Sequence, residues 1–141
     1  MVKTNSNKVE SLKVNLRFAC MLLANVCDDF SMMPMIDGRP LNSMQLFTYF
    51  NLNKIMFTSL YYELQRNNIM ATVVTAGLES IVLNPEFFTG YKQTPIIDFL
   101  RDYIFGKQNV FMKGKSVYEN KEDMAVLKKR IKEFSKMGYI S

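Results

Sequence analysis

The sequence predicts a mainly α fold carrying one small β-hairpin, an α+β class. Three observations predict it. Apolar residues recur at spacings of three and four in several stretches, two short β-branched runs flank Gly77, and Asn, Asp, Pro and Gly punctuate the joins. At 141 residues and 48% hydrophobic content, the chain can bury one compact core.

The first element is the strongest. Over residues 12–30, Leu12, Leu16, Ala19, Cys20, Leu23, Val26, Cys27 and Phe30 share one helical face. Asp28 and Asp29 oppose the negative end of its dipole, so the helix should fray just past Val26. "MMPMIDGRPLN" then reads as a connection with one short extended piece, and Asp37-Gly38 suits a tight turn at positive backbone angles. Asn42 with Gln45 forms a capping box opening a short helix through Leu46, Phe47 and Phe50.

After "NLN", Asn53 caps a second helix with Phe57, Leu60, Tyr61 and Leu64 inward, and Asn67-Asn68 closes it. Residues 70–74 and 80–83 pair as a hairpin around Gly77. Asn84-Pro85 starts one helical turn holding Phe87 and Phe88, ended by Gly90; Thr94-Pro95 repeats the device for a helix over 96–105, closed by Gly106. A polar stretch leads to Asn120 and Asp123, which cap a last helix with Met124, Leu127, Ile131 and Phe134 on one side.

Composition excludes several classes. No apolar run approaches the roughly eighteen residues of a membrane span, and the start "MVKTNSNKVESLKVN" lacks a signal core, so a cytoplasmic protein is expected. The chain has no histidine, and Cys20 and Cys27 stand about 10 Å apart along a helix, too far for a bridge between them. The expectation is therefore two buried thiols, no metal and no cofactor. A Gly-rich phosphate loop and a nucleophile elbow are also lacking, and Asp28-Asp29 is more simply a polar helix end, so no enzyme is expected.

The net charge of +5 is unevenly spread: +1 through Leu41, 0 from Asn42 to Lys92, and +4 from Gln93 onward. A basic final third suits a polyanionic partner, and a solvated helix face explains it nearly as well.

The order helix, short strand, helix, turn, helix, hairpin resembles a winged helix-turn-helix with a C-terminal helical extension. Residues 52–69, "LNKIMFTSLYYELQRNNI", resemble the second helix of that motif, with Asn68 where glycine is common. "SIVLNPEFFTG" is similar to the "hINPxhFhxG" ending of the wing in RepL-like plasmid and phage replication initiators, and the resemblance covers residues 11–91. It implies a flexible N-terminal arm at 1–10, a winged-helix domain at 11–92, and an extension at 93–141 that docks or dimerises. It further implies sequence-directed duplex DNA binding, in replication initiation or transcription regulation, in a bacterial cell or phage-infected host.

On that resemblance the recognition helix begins near Asn53 and presents Lys54, Thr58, Ser59, Tyr62 and Arg66. Lys54 and Thr58 fall where base edges are reached, Arg66 where a phosphate is met, and Gln45 precedes them on the backbone-contacting helix. The sequence departs from the pattern in one respect. Ile55, Met56 and Glu63 accompany these residues, and the hairpin over 69–88 contains no lysine or arginine, although duplex affinity depends on neutralising phosphates.

Two resolutions follow. Phosphate binding is delegated to Lys3, Lys8, Lys13 and Arg17, to Lys113 and Lys115, and to Lys128, Lys129, Arg130, Lys132 and Lys136, with a homodimer doubling the contacts. Alternatively the surface serves protein recognition, with Ile55, Met56 and Tyr62 as an apolar patch for a replication or transcription protein or a regulated host enzyme. "AVLKKRIKEFSK" also admits a membrane-surface reading, less well supported than packing of its apolar side.

Overall fold

The computed structural model describes residues 1–75 and 78–106. The Gly77 turn, Lys113, Lys115 and the last helix with Lys128, Lys129, Arg130, Lys132 and Lys136 lie outside the described residues. The described chain is α+β, mainly helical with small antiparallel two-stranded sheets.

The elements in order are β1 (Lys3–Thr4), α1 (Ser6–Val9), α2 (Val14–Val26), β2 (Met35–Ile36), β3 (Arg39–Pro40), α3 (Ser43–Phe50), α4 (Lys54–Arg66), β4 (Met70–Thr75), β5 (Leu78–Leu83), a 3₁₀ turn (Pro85–Phe87), β6 (Phe88–Thr89), α5 (Pro95–Phe99) and a π-helical turn (Leu100–Ile104). Strands pair β1 with β6, β2 with β3, and β4 with β5.

α2 buries Leu16, Ala19, Cys20, Leu23 and Ala24 and stops at Val26, where the aspartates were expected to end it. Asp28 then organises the exit: its Oδ2 accepts from the backbone N–H and the hydroxyl of Ser31 at 2.9 and 2.6 Å. The connection to α3 holds two extended pieces rather than one. β2 and β3 form a hairpin about Asp37 and Gly38, both at positive φ (53° and 75°), as a turn matched to strand twist requires.

The Asn42–Gln45 capping box is present in both directions, and Asn51 ends α3 in the left-handed conformation at φ 56°. Asn53 caps α4 by accepting from Met56 N–H at 2.9 Å. Phe57 is the hub between the two helices, with ring centroids 5.1 Å from Phe47, 6.1 Å from Phe50 and 5.5 Å from Tyr61. Tilted rings at such distances add roughly 0.5–1.5 kcal/mol per pair beyond their burial, so the angle between α3 and α4 is held by aromatic contact.

Asn68 takes the left-handed position at φ 61°, filling the role of glycine, and the chain turns into β4. β4 and β5 pair in continuous register from Met70↔Leu83 to Thr75↔Leu78, so Val73 and Val82 share one sheet. The end near the helices is buried: Met70, Ala71, Ile81 and Leu83 are all inaccessible. Tyr61 and Thr72 hydroxyls, 2.5 Å apart, fasten α4 to β4.

Two expectations about the termini are corrected. The first ten residues are not a loose arm: Val2 and Val9 are buried, β1 pairs with β6, and Asn5 N–H donates to Phe87 O at 2.8 Å. Two apolar side chains and a strand pairing give these residues a place in the core that their polar composition conceals. Likewise the boundary at residue 92 cuts through the core, because Ile96, Ile97, Leu100, Ile104 and Phe105 belong to the same buried cluster as Leu16 and Leu64.

Smaller corrections follow from the same packing. Phe88 lies in a strand, not in the helical turn, and its side chain is buried. The Thr94 hydroxyl does not cap α5 but donates to Phe30 O at 2.9 Å. Gly90, at φ 83°, sits against the Met1 carbonyl, where any Cβ would overlap the backbone.

Candidate functional site

Lys54, Thr58, Ser59, Tyr62 and Arg66 are all exposed along α4, on the side opposite Phe57, Leu60 and Leu64. The separation follows from helical periodicity, since positions three and four apart share a side. Their surroundings refine the roles expected of them. Thr58 Oγ1 donates to Lys54 O at 2.8 Å, which leaves the hydroxyl oxygen to accept from a ligand donor. Gln45 is exposed, and its side-chain oxygen already accepts from Asn42 N–H at 2.9 Å. This makes Gln45 part of the cap of α3.

Glu63, expected to repel phosphate on this face, is turned toward α2. Its carboxylate accepts from Asn15 Nδ2 at 3.2 Å and pairs with Lys13 Nζ at 3.4 Å. Two expectations change together: the acidic residue is answered locally, and Lys13 is not a free phosphate cation. The Lys13 side chain is 74% exposed, so the pair contributes about a kcal/mol at most.

The α4 face is also apolar. Ile55 is 84% exposed, Met56 55% and Tyr62 47%, all between or beside the two cations. Elsewhere, Ile36, Arg39, Gln45 and Tyr49 line an open depression of about 570 Å³ between the β2–β3 hairpin and α3. The Tyr49 hydroxyl donates to Leu22 O at 2.8 Å, and burial raises its pKa; Tyr91 instead accepts from Arg101 Nη2 at 3.2 Å. Of Tyr49, Tyr62 and Tyr91, only Tyr62 is exposed without a hydrogen bond among the described residues.

Charge divides sharply. Residues 1–106 hold nine Lys and Arg against nine Asp and Glu, so they are formally neutral, and the whole excess of five belongs to residues 107–141. Burial pushes the Cys20 thiol up to about 12, and burial with the Asp28 and Asp29 carboxylates raises the half-buried Cys27 as well. From sequence Asn84 has a helix-start role only; its buried side chain also joins the end of β5 to the turn after α4. Asn84 Nδ2 donates to Asn68 O at 2.8 Å, and Oδ1 accepts from Glu86 N–H at 3.1 Å. The bond to Asn68 has no local signal, because its partner lies sixteen residues earlier. Comparison of the chain with protein-family models, with curated proteins and with solved structures finds no match.

Proposed function

We propose that this chain is a winged helix-turn-helix protein that binds duplex DNA through α4, in plasmid- or phage-type replication initiation or transcription control in the cytoplasm of a bacterial cell or infected host. The observation that carries the reading is the outward line of Lys54, Thr58, Ser59, Tyr62 and Arg66 on a helix clamped to α3 by aromatic rings and followed by a hairpin. The hairpin is two-stranded; the segment ahead of α3 reaches it through one backbone bond, Leu83 N–H to Met32 O at 2.8 Å.

A neutral domain with two cations on its reading helix positions itself on DNA weakly, since each phosphate contact adds roughly 0.9 to the slope of log K against log salt. In this proposal α4 reads base edges, and the cations beyond Gly106, among them Lys128, Lys129 and Arg130, supply the affinity. Binding of full-length protein to duplex DNA across a salt series tests it. Substituting Lys128, Lys129 and Arg130 by Gln should flatten the slope by about two to three, Arg66→Ala by about one, and Lys54→Ala should relax sequence preference at one position. Failure to bind any duplex at low salt removes the proposal.

The exposure of Ile55 and Met56 favours a second reading, a winged-helix module that recognises a protein and touches nucleic acid weakly or not at all. Under it, Ile55→Ser abolishes a protein complex and leaves no salt-dependent DNA binding to lose.

A further inference from the structure

α2 is apolar on two sides. Leu16, Ala19, Cys20, Leu23 and Ala24 face the core, while Val14, Phe18 and Met21, spaced four and three apart, are 70%, 60% and 57% exposed on the opposite side. Scattered apolar residues on a surface are ordinary; a continuous ridge about 10 Å long on one helix is not.

Size limits what can cover this ridge. The three side chains expose on the order of 300 Å², well short of the roughly 800 Å² that each partner contributes to a stable complex of separate proteins. A segment already tied to the domain needs far less, because a short tether holds it at an effective concentration in the millimolar range. The chain supplies such a segment. Among residues 107–141, which lie outside the described residues, Met124, Leu127, Ile131 and Phe134 are spaced as one side of a helix about 15 Å long.

The point where the chain leaves the described residues puts that segment within reach. Asn68 Nδ2 donates to Phe105 O at 3.2 Å, and Glu63, five residues before Asn68, bonds to Lys13 and Asn15 at the start of α2. Gly106 is thus separated from the beginning of the ridge by about 8 Å of helix and two side-chain contacts. Seventeen residues stand between Gly106 and Met124, and they can span up to roughly 55 Å. Charge points the same way. Glu10, Asp28, Asp29 and Glu63 outnumber Lys13 and Arg17 along α2 and at its ends, whereas Lys54 and Arg66 on the α4 face have no carboxylate partner among the described residues. Residues 107–141 carry an excess of five cations, so they are received better on α2 than beside Ile55 and Met56.

We propose that the amphipathic segment 124–134 of this same chain docks on the outward side of α2, with Met124, Leu127, Ile131 and Phe134 against Val14, Phe18 and Met21. Helical spacing then turns Lys129, Lys132 and Lys136 away from α2 and toward a polyanion. The docking does not depend on whether α4 binds DNA.

Residue-resolved amide hydrogen exchange of the full chain tests it. Phe18→Ser and Met21→Ser should each speed exchange over residues 124–134 about fivefold or more, Ile131→Ser should do the same from the other side, and Ile55→Ser should leave the rate unchanged. Amides of α4 should exchange as in wild type throughout, which separates undocking from loss of the fold. Contact this weak is released before the domain unfolds, so the urea midpoint of Phe18→Ser should match wild type. Tenfold dilution should not alter the exchange, because the contact lies within one chain. Indifference of 124–134 to Phe18→Ser and Met21→Ser, sensitivity to Ile55→Ser instead, or faster exchange in α4 as well overturns the proposal. So does exchange that quickens on dilution alongside a dimer in sedimentation velocity that Phe18→Ser dissociates.

Discussion

Replacing Asn84 by alanine should cost far more than its place in a loop suggests. Its side chain is 2% exposed and joins two turns: Nδ2 serves the Asn68 carbonyl at 2.8 Å, and Oδ1 serves Glu86 N–H at 3.1 Å. Leaving a buried carbonyl without its donor costs about 1–3 kcal/mol, and losing a helix-start cap costs about 1 kcal/mol. The expected loss is roughly 2–4 kcal/mol, or a Tm lower by roughly 7–14 °C in a chain of this size. Asn84→Ser separates the two parts, because serine keeps a capping oxygen but is too short to reach Asn68, and should restore about 1 kcal/mol. Urea unfolding of wild type, Asn84→Ala and Asn84→Ser at neutral pH gives both differences. A loss below about 0.5 kcal/mol for alanine, or no difference between the two variants, would refute the assignment of Asn84 as the tie between α4 and the hairpin.

Gly90→Ala combines a positive φ of 83° with overlap of the Met1 carbonyl, so it should cost more than about 1 kcal/mol and raise hydrogen exchange at Asn5 N–H, which bonds to Phe87 O. Leu16→Ala, at a position 2% exposed, should cost about 2–5 kcal/mol, while Phe18→Ala, 60% exposed two residues on, should stay within about 0.5 kcal/mol; urea midpoints of the pair decide whether α2 is oriented as described. Cys20 has its pKa raised from 9.0 to about 12, so the folded chain holds this proton longer than the unfolded one. The stability tied to it is complete below pH 9 and falls as pH rises toward about 12. Cys20→Ala should reduce the drop in urea midpoint between about pH 8 and about pH 10.5, and the native Cys20 thiol should resist a disulfide reagent until the chain unfolds.

The elements that were legible in the sequence are those whose signals are local. Asn42 with Gln45 and Asn53 cap helices through their own side chains, while Asp37, Gly38 and Asn68 are residue types that tolerate positive φ, and each is found doing so. The pairing of Lys3 with Thr89 was hidden because β1 and β6 have two residues each, too few for any periodicity. The outward line of α4 was legible from the spacing of Phe57, Leu60 and Leu64. The turning of Glu63 away from that face was not, since it depends on Asn15 and Lys13 from a helix about fifty residues earlier. The second apolar ridge of α2 escaped notice for a different reason: once Leu16, Ala19, Cys20 and Leu23 account for the helix, Val14, Phe18 and Met21 read as noise.

The pairing of β1 with β6 also bears on how the chain can be made. As the chain leaves the ribosome, β1 has no strand to pair with until Phe88 and Thr89 have emerged. α2 and α4 can form early, but the opening residues stay unpaired while more than half of the polypeptide is still being added. Closure is then a late, long-range event, and a stall in synthesis before residue 88 would leave β1 an unpaired strand edge open to whatever chaperone or protease is at hand.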